Sequence, residues 1–148
     1  MELMKDLQSS LEETNQYYSL TEEFLIKSYA PGKWSVKQLL VHLADAEQML
    51  LGRIKRVISE PKQVIWSFDQ DLWCSNLKYT DYPLHLSEAI YKASRAEVLF
   101  LAEEYYLSHG SKEFVQSETG LRTLKDEFDK VAWHNLHHLV QIKQALNS

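Results

Sequence analysis

The sequence predicts an all-α protein, a four-helix bundle, and three observations carry that reading. Only four glycines and three prolines occur in 148 residues, leaving few of the tight turns that a many-stranded sheet needs. Apolar residues recur three or four positions apart over four long segments, which is the spacing of one helix face. Hydrophobic residues make up 45% of the chain, enough for one sizeable core in a single domain spanning residues 1–148.

The first helix is expected from about Glu2 to Tyr29, with Leu3, Leu7, Leu11, Thr14, Tyr18 and Leu25 on one side, ended by "APGK". The second opens at "WSVKQLL", where Ser35 is a good N-cap and Gln38 completes a capping box. It runs to about Ile58, before "SEPK". The third follows Pro83 and reaches about Leu107, with a stripe of Leu86, Ala89, Ile90, Ala93, Ala96 and Phe100. Glu97 and Glu104 project near that stripe, at a bundle edge or toward a cleft. The fourth opens near Thr123, with Asp126 as capping partner, and continues to about Leu146.

Two connections stand out. Residues 59–83 are too many for a simple turn between antiparallel helices. A connection of that length crosses the bundle end and lets its flanking helices run parallel. It carries Trp66, Phe68, Trp73, Tyr79 and Tyr82, a set of aromatics expected to staple the segment to the bundle, to wall a site, or to form a dimer contact. In "SHGSKEFVQSETGLR" a short extended piece is expected at "EFVQS".

The net charge is −5, and no basic cluster is dense enough for nucleic acid. The start, "MELMKDLQSSLEE", lacks the apolar core of a signal peptide, and no apolar run is long enough to span a membrane. A single cysteine, Cys74, excludes an internal disulfide. From these features a cytoplasmic protein is expected.

Chemistry concentrates in "WHNLHHLVQI", residues 133–142. At 100° per residue with position 121 at zero, Leu124, Phe128, Leu139, Ile142 and Leu146 cluster between about 300° and 360°. His134 and His138 fall at about 220° and 260°, on the edge of that stripe. His137 falls at about 160° with Lys130, on the water side. Residues i and i+4 share a face with Cβ atoms about 6 Å apart, so His134 and His138 either converge on a metal or are half-buried polar residues. A third ligand belongs at the edge of another apolar face. On the second helix His42 meets that condition, flanked by Ala46 and Met49. His85, at a helix start, and His109, in a Gly-Ser turn, are expected to be solvated.

"KWSVKQLLVHLADAE", "TGLRTL" and the closing His-x-x-x-His before Gln-Ile together resemble the DinB/YfiT-like superfamily of bacterial metal-dependent enzymes. The resemblance implies up-down-down-up connectivity, a homodimer, and a divalent metal held by His42, His134 and His138. Its members include thiol S-transferases that join bacillithiol or a similar low-molecular-weight thiol to an electrophile, a mycothiol-dependent isomerase, and proteins described as metal-dependent hydrolases.

The expected activity is therefore a metal-dependent thiol transfer or hydrolysis on a small-molecule substrate. Zinc or nickel is expected first, with iron, copper and manganese also compatible with imidazole ligands. Glu127 and Asp45 are candidate outer partners of the ligands, or plain surface carboxylates. Cys74 lies outside the motif and is not expected to act as a nucleophile. The rival readings are a non-catalytic bundle for self-association or partner binding, motivated by the aromatic segment, and a metal buffer or sensor.

Overall fold

The computed structural model describes residues 2–60 and 63–148. In chain order the elements are α1 (Glu2–Tyr17), α2 (Glu22–Leu25), α3 (Val36–Ser59), β1 (Val64–Ile65), α4 (Gln70–Asn76), α5 (Leu84–His109), β2 (Glu113–Gln116), β3 (Gly120–Thr123) and α6 (Leu124–Leu146). The four expected helices are α1, α3, α5 and α6. Both expected capping boxes are present. Ser35 Oγ accepts from Gln38 N while Gln38 answers Ser35 N, and Thr123 and Asp126 repeat the exchange at α6.

Side-chain pairs give the helix directions. His42 meets His134 while Arg53 meets Glu127, so α3 and α6 are antiparallel. Glu47 meets Arg95 and Lys55 meets Glu97, so α3 and α5 are parallel. Thr14 meets Asn135 and Glu13 meets Lys143, while Leu3 shares a surface groove with Ala132. These pairs make α1 parallel to α6. The connectivity is up-down-down-up, and the parallel α3 and α5 explain the long connection, which must return the length of the bundle. No helix among the described residues is long and apolar enough to cross a membrane.

Two apolar clusters fill the bundle. One holds Leu7, Ile54, Val98, Phe114 and Phe128, the other Leu39, Leu40, Tyr91, Leu139 and Ile142. Along each long helix a polar residue falls between them. Arg95, fully buried, grips Glu47 through Nε at 2.6 Å and Nη2 at 2.9 Å. It also donates to the Leu7 carbonyl, Ser10 Oγ and Asn135 Oδ1, each at 2.8 Å. Asn135 in turn donates to Thr14 Oγ1 and accepts from the Tyr91 hydroxyl. This layer touches all four long helices and satisfies buried groups that would otherwise be costly.

Several expectations need correction. The first helix ends at Tyr17, not Tyr29. Ser19 and Thr21 favour caps and turns, Thr21 takes extended geometry to start α2, and the Tyr18 hydroxyl ties the bend to the Leu40 carbonyl. The stripe expected to face the core on α5 points largely outward, with Leu86 and Phe100 exposed. The buried face is Ser87, Tyr91, Ser94, Arg95, Val98 and Ala102, because α5 packs against the polar layer. Glu97 pairs with Lys55 at the surface and Glu104 is exposed. Both lie at an edge rather than in a cleft.

The segment 59–83 is more ordered than expected; Pro61 and Lys62 lie outside the described residues. It contains β1, α4 capped by Asp69, and a 3-10 turn at Tyr79–Asp81. Its aromatics divide. Tyr79 is buried with Val41 and Cys74, Trp73 packs against that cluster, and Trp66 stays exposed. The expected extended piece is β2, antiparallel to β3. Its parallel pairing with β1 is a long-range contact that neither short segment announces alone.

Candidate metal centre

His42 lies near the start of α3, and His134 and His138 lie one turn apart on α6. The antiparallel crossing of the two helices brings the three rings together. His42 Nε2 and His134 Nε2 are 2.9 Å apart, and His138 Nε2 and His134 Nε2 are 3.2 Å apart. One ring nitrogen from each residue lies within 4.8 Å of the others. Ring centroids stand 4.5–4.9 Å apart, edge to face. Trp34 abuts His42 from outside at 5.1 Å.

Burial of this cluster favours neutral imidazoles. Desolvation, with a smaller push from His138, lowers the His42 pKa to about 3. Desolvation and the neighbouring imidazoles lower His134 to about 2. His138 is also lowered, chiefly by desolvation. Its Nδ1 bonds to Gln141 Oε1 at 2.7 Å, which holds the proton on Nδ1 and leaves Nε2 as a lone pair. His42 Nδ1 is buried and has no hydrogen-bond partner among the described residues, so packing against Trp34 sets that ring's orientation.

Three facing nitrogens share too few protons to satisfy one another. A cation between them answers that deficit, and the donor set fits one. Nitrogens about 2.0–2.1 Å from a tetrahedral ion stand about 3.3 Å apart, close to the spacings seen. His137, by contrast, is exposed and stacks on Trp133, as its position on the wheel implies.

A family model described as the DinB superfamily matches residues 7–142. The chain belongs to the DinB superfamily. Among its relatives, a protein of Oceanobacillus iheyensis named a putative metal-dependent hydrolase is 28% identical over 130 residues, covering 88% of this chain and 75% of that one. A protein of Halalkalibacterium halodurans with the same descriptive name is 24% identical over 128 residues, covering 86% and 74%. The solved structure of YfiT from Bacillus subtilis, described as a probable metal-dependent hydrolase with an unusual four-helix bundle topology, superposes with a TM-score of 0.88 at 21% identity, covering 99% of this chain and 85% of that one. That likeness establishes the DinB-type fold.

In this DinB bundle two cavities reach the histidines. One, of about 210 Å³, is a trough between α3 and α6 with His42 and His134 at one end and Arg53 and Lys130 further along. Ser67 and Phe68 and the β2–β3 turn cover it. The other, of about 310 Å³, opens at His138 between Trp34 and Gln141. Gln70 lines both. Neither carboxylate weighed as an outer partner touches a ligand nitrogen, and neither is a plain surface group. Asp45 is buried and accepts a 2.5 Å hydrogen bond from the Tyr79 hydroxyl. Glu127 is buried and pairs with Arg53 at 3.5 Å. Cys74 is buried, and desolvation followed by Asp71 raises its pKa, which suits an inert thiol. His85 is exposed, and His109 lies edge-on to Tyr105.

The lowered imidazole pKa values set an acid limit for the metal-free protein. Below pH about 6.5 the unfolded chain binds protons at these histidines and the folded chain does not. Stability therefore falls as pH drops from about 6.5 toward the folded values. Between pH 7.5 and 5 the loss from His42 and His134 is about 2–4 kcal/mol. Denaturant titrations of chelator-stripped protein check this, and a His42→Gln, His134→Gln double variant should show a shallower pH slope.

Proposed function

We propose that this DinB-superfamily chain is a metal-dependent enzyme acting on a small molecule, with a divalent transition metal held by His42, His134 and His138. The carrying observation is the convergence of three Nε2 atoms, two contacts at 2.9 and 3.2 Å, in a site that favours neutral rings. The names of the relatives support the same reading. A metal on three imidazoles keeps open positions and supplies Lewis acidity that activates water or a thiol. The chain's own residues do the rest. Gln141 fixes the His138 tautomer, Trp34 backs His42, and the cover formed by Ser67, Phe68 and the β2–β3 turn limits water in the trough.

Hydrolysis needs one organic substrate, whereas thiol transfer needs two. One cavity at His42 and His134 and another at His138, both lined by Gln70, support the transfer version, in which a low-molecular-weight thiol and an electrophile approach separately. The test compares zinc- or nickel-loaded protein with chelator-stripped protein on a panel of esters and amides and a panel of electrophiles with and without small thiols. Turnover that disappears on stripping and returns on reloading is expected. Protein that takes up neither metal would overturn the reading, and tight metal binding with no turnover on either panel would shift it to metal buffering.

A further inference from the structure

We propose that Lys130, Arg53 and the Gln116 amide form a wall that grips an oxyanion, a carboxylate or phosphate group on the substrate, while the substrate's reacting end lies at the three imidazoles. The proposal deepens the proposed function by naming a substrate class. It rests on that reading only for the location of the reacting end.

The observations begin with Lys130. On the helical wheel it belongs to the water face, yet it is half-buried and lines the trough beside His134, one turn away. No carboxylate among the described residues lies within ion-pairing distance of its ammonium. Desolvation lowers its pKa against the opposing pull of Glu127. A cation that has lost water without gaining a partner marks a place where an anion is favoured.

Arg53 continues the wall from α3. It is 5% exposed, donates to the Trp66 carbonyl at 3.2 Å and reaches Glu127 only at 3.5 Å. Those two contacts leave several of its five N–H groups free. Gln116 closes the wall from the β2–β3 turn and is also 5% exposed. Its Oε1 accepts from Glu118 N, Thr119 N and Thr119 Oγ1 at 2.6, 2.7 and 3.1 Å. The amide orientation is thereby fixed, and Nε2 is left as a donor with no acceptor among the described residues.

Charge agrees with this assignment. Among the residues lining the trough, Arg53 and Lys130 face one carboxylate, that of Glu118, which is exposed at the rim. Behind the lining Glu127 offsets Arg53, which leaves Lys130 as the cation of the trough that has no partner among the described residues. A volume of about 210 Å³ holds about seven waters, enough for a small acid and too little for a polymer.

The test is calorimetric titration with succinate, methyl phosphate and the neutral control succinamide, on zinc-loaded and on chelator-stripped protein. Either anion is expected to bind in both metal states while succinamide does not, and the tighter anion names the group. Lys130→Met should weaken binding about tenfold or more, with Lys130→Arg retaining it. Gln116→Glu keeps the acceptor that shapes the turn, replaces the donor with a charge, and should abolish binding. Binding that requires zinc and is indifferent to Lys130→Met would overturn the wall and leave the metal site standing. Failure of both anions to bind in either state would also overturn it. Lys130-dependent binding by a protein that takes up neither zinc nor nickel would support the wall and sink the metal reading.

Discussion

Protein purified without an affinity tag or chelator is expected to carry about one equivalent of a transition metal, and His42→Ala, His134→Ala or His138→Ala less than about a tenth of that. Tetrahedral structural zinc sites bind with about 10–16 kcal/mol over four ligands. One imidazole is thus worth about 2.5–4 kcal/mol, or on the order of 10² to 10³ in affinity. Elemental analysis on gel-filtered protein reads this directly. His137→Ala is the matched control, since His137 is exposed and stacks outside the cluster; it should retain the full complement. Helicity should survive all four substitutions, because the ligand contact that joins two helices, His42 to His134, is small beside the apolar clusters that hold the same helices together. Unchanged metal in all three ligand variants would remove the basis of the proposed function.

The second large effect lies in the polar layer. Arg95→Met should destabilise the fold by about 3–5 kcal/mol, because it strands the Glu47 carboxylate in the interior. Glu47 is 3% exposed and both its oxygens are held by Arg95. Asn135, Ser10 and the Leu7 carbonyl lose a donor at the same time. That loss is a large share of the 5–15 kcal/mol typical of a domain. Replacing both members, Glu47→Leu with Arg95→Met, should recover much of it, since an apolar pair of similar volume carries no stranded charge. Chemical denaturation of the single and double variants measures the difference. A loss under about 1 kcal/mol in Arg95→Met would mean that Glu47 is satisfied without its partner.

The capping boxes at Ser35 and Thr123 and the His134/His138 pair were legible because each signal is local, whereas His42 was reached through its place on a helix face and the family resemblance. A cap is written in four consecutive residues, and a ligand pair in five. The polar layer was not legible, for Glu47, Arg95 and Asn135 each look like ordinary polar interruptions until three other helices supply their partners. The same layer misdirected the reading of α5. Hydropathy selects the apolar side of a helix, and here Leu86 and Phe100 take the solvent while Ser87, Tyr91 and Arg95 turn inward. Arg53 and Lys130 were not read together for a related reason: their common trough exists only where α3 and α6 cross. The β1–β2 pairing joins residues about 50 positions apart, beyond the reach of any local pattern.

The parallel placement of α1 and α6 bears on the order of events at the ribosome. Thr14 and Asn135 are 121 positions apart and must meet in the middle of the core. At synthesis rates of about 5–20 residues per second, α6 follows α1 by roughly 6–24 s. Until then the native partners of α1 are α3 and α5, so early collapse can be native but leaves the α6 side of the core open. The wait falls equally on the histidines, since His42 is made long before His134 and His138. An ion can be held by all three only after α6 has been made. If the three histidines bind a metal, its identity would then be set by the ions available once α6 is in place, not by whichever ion first meets His42.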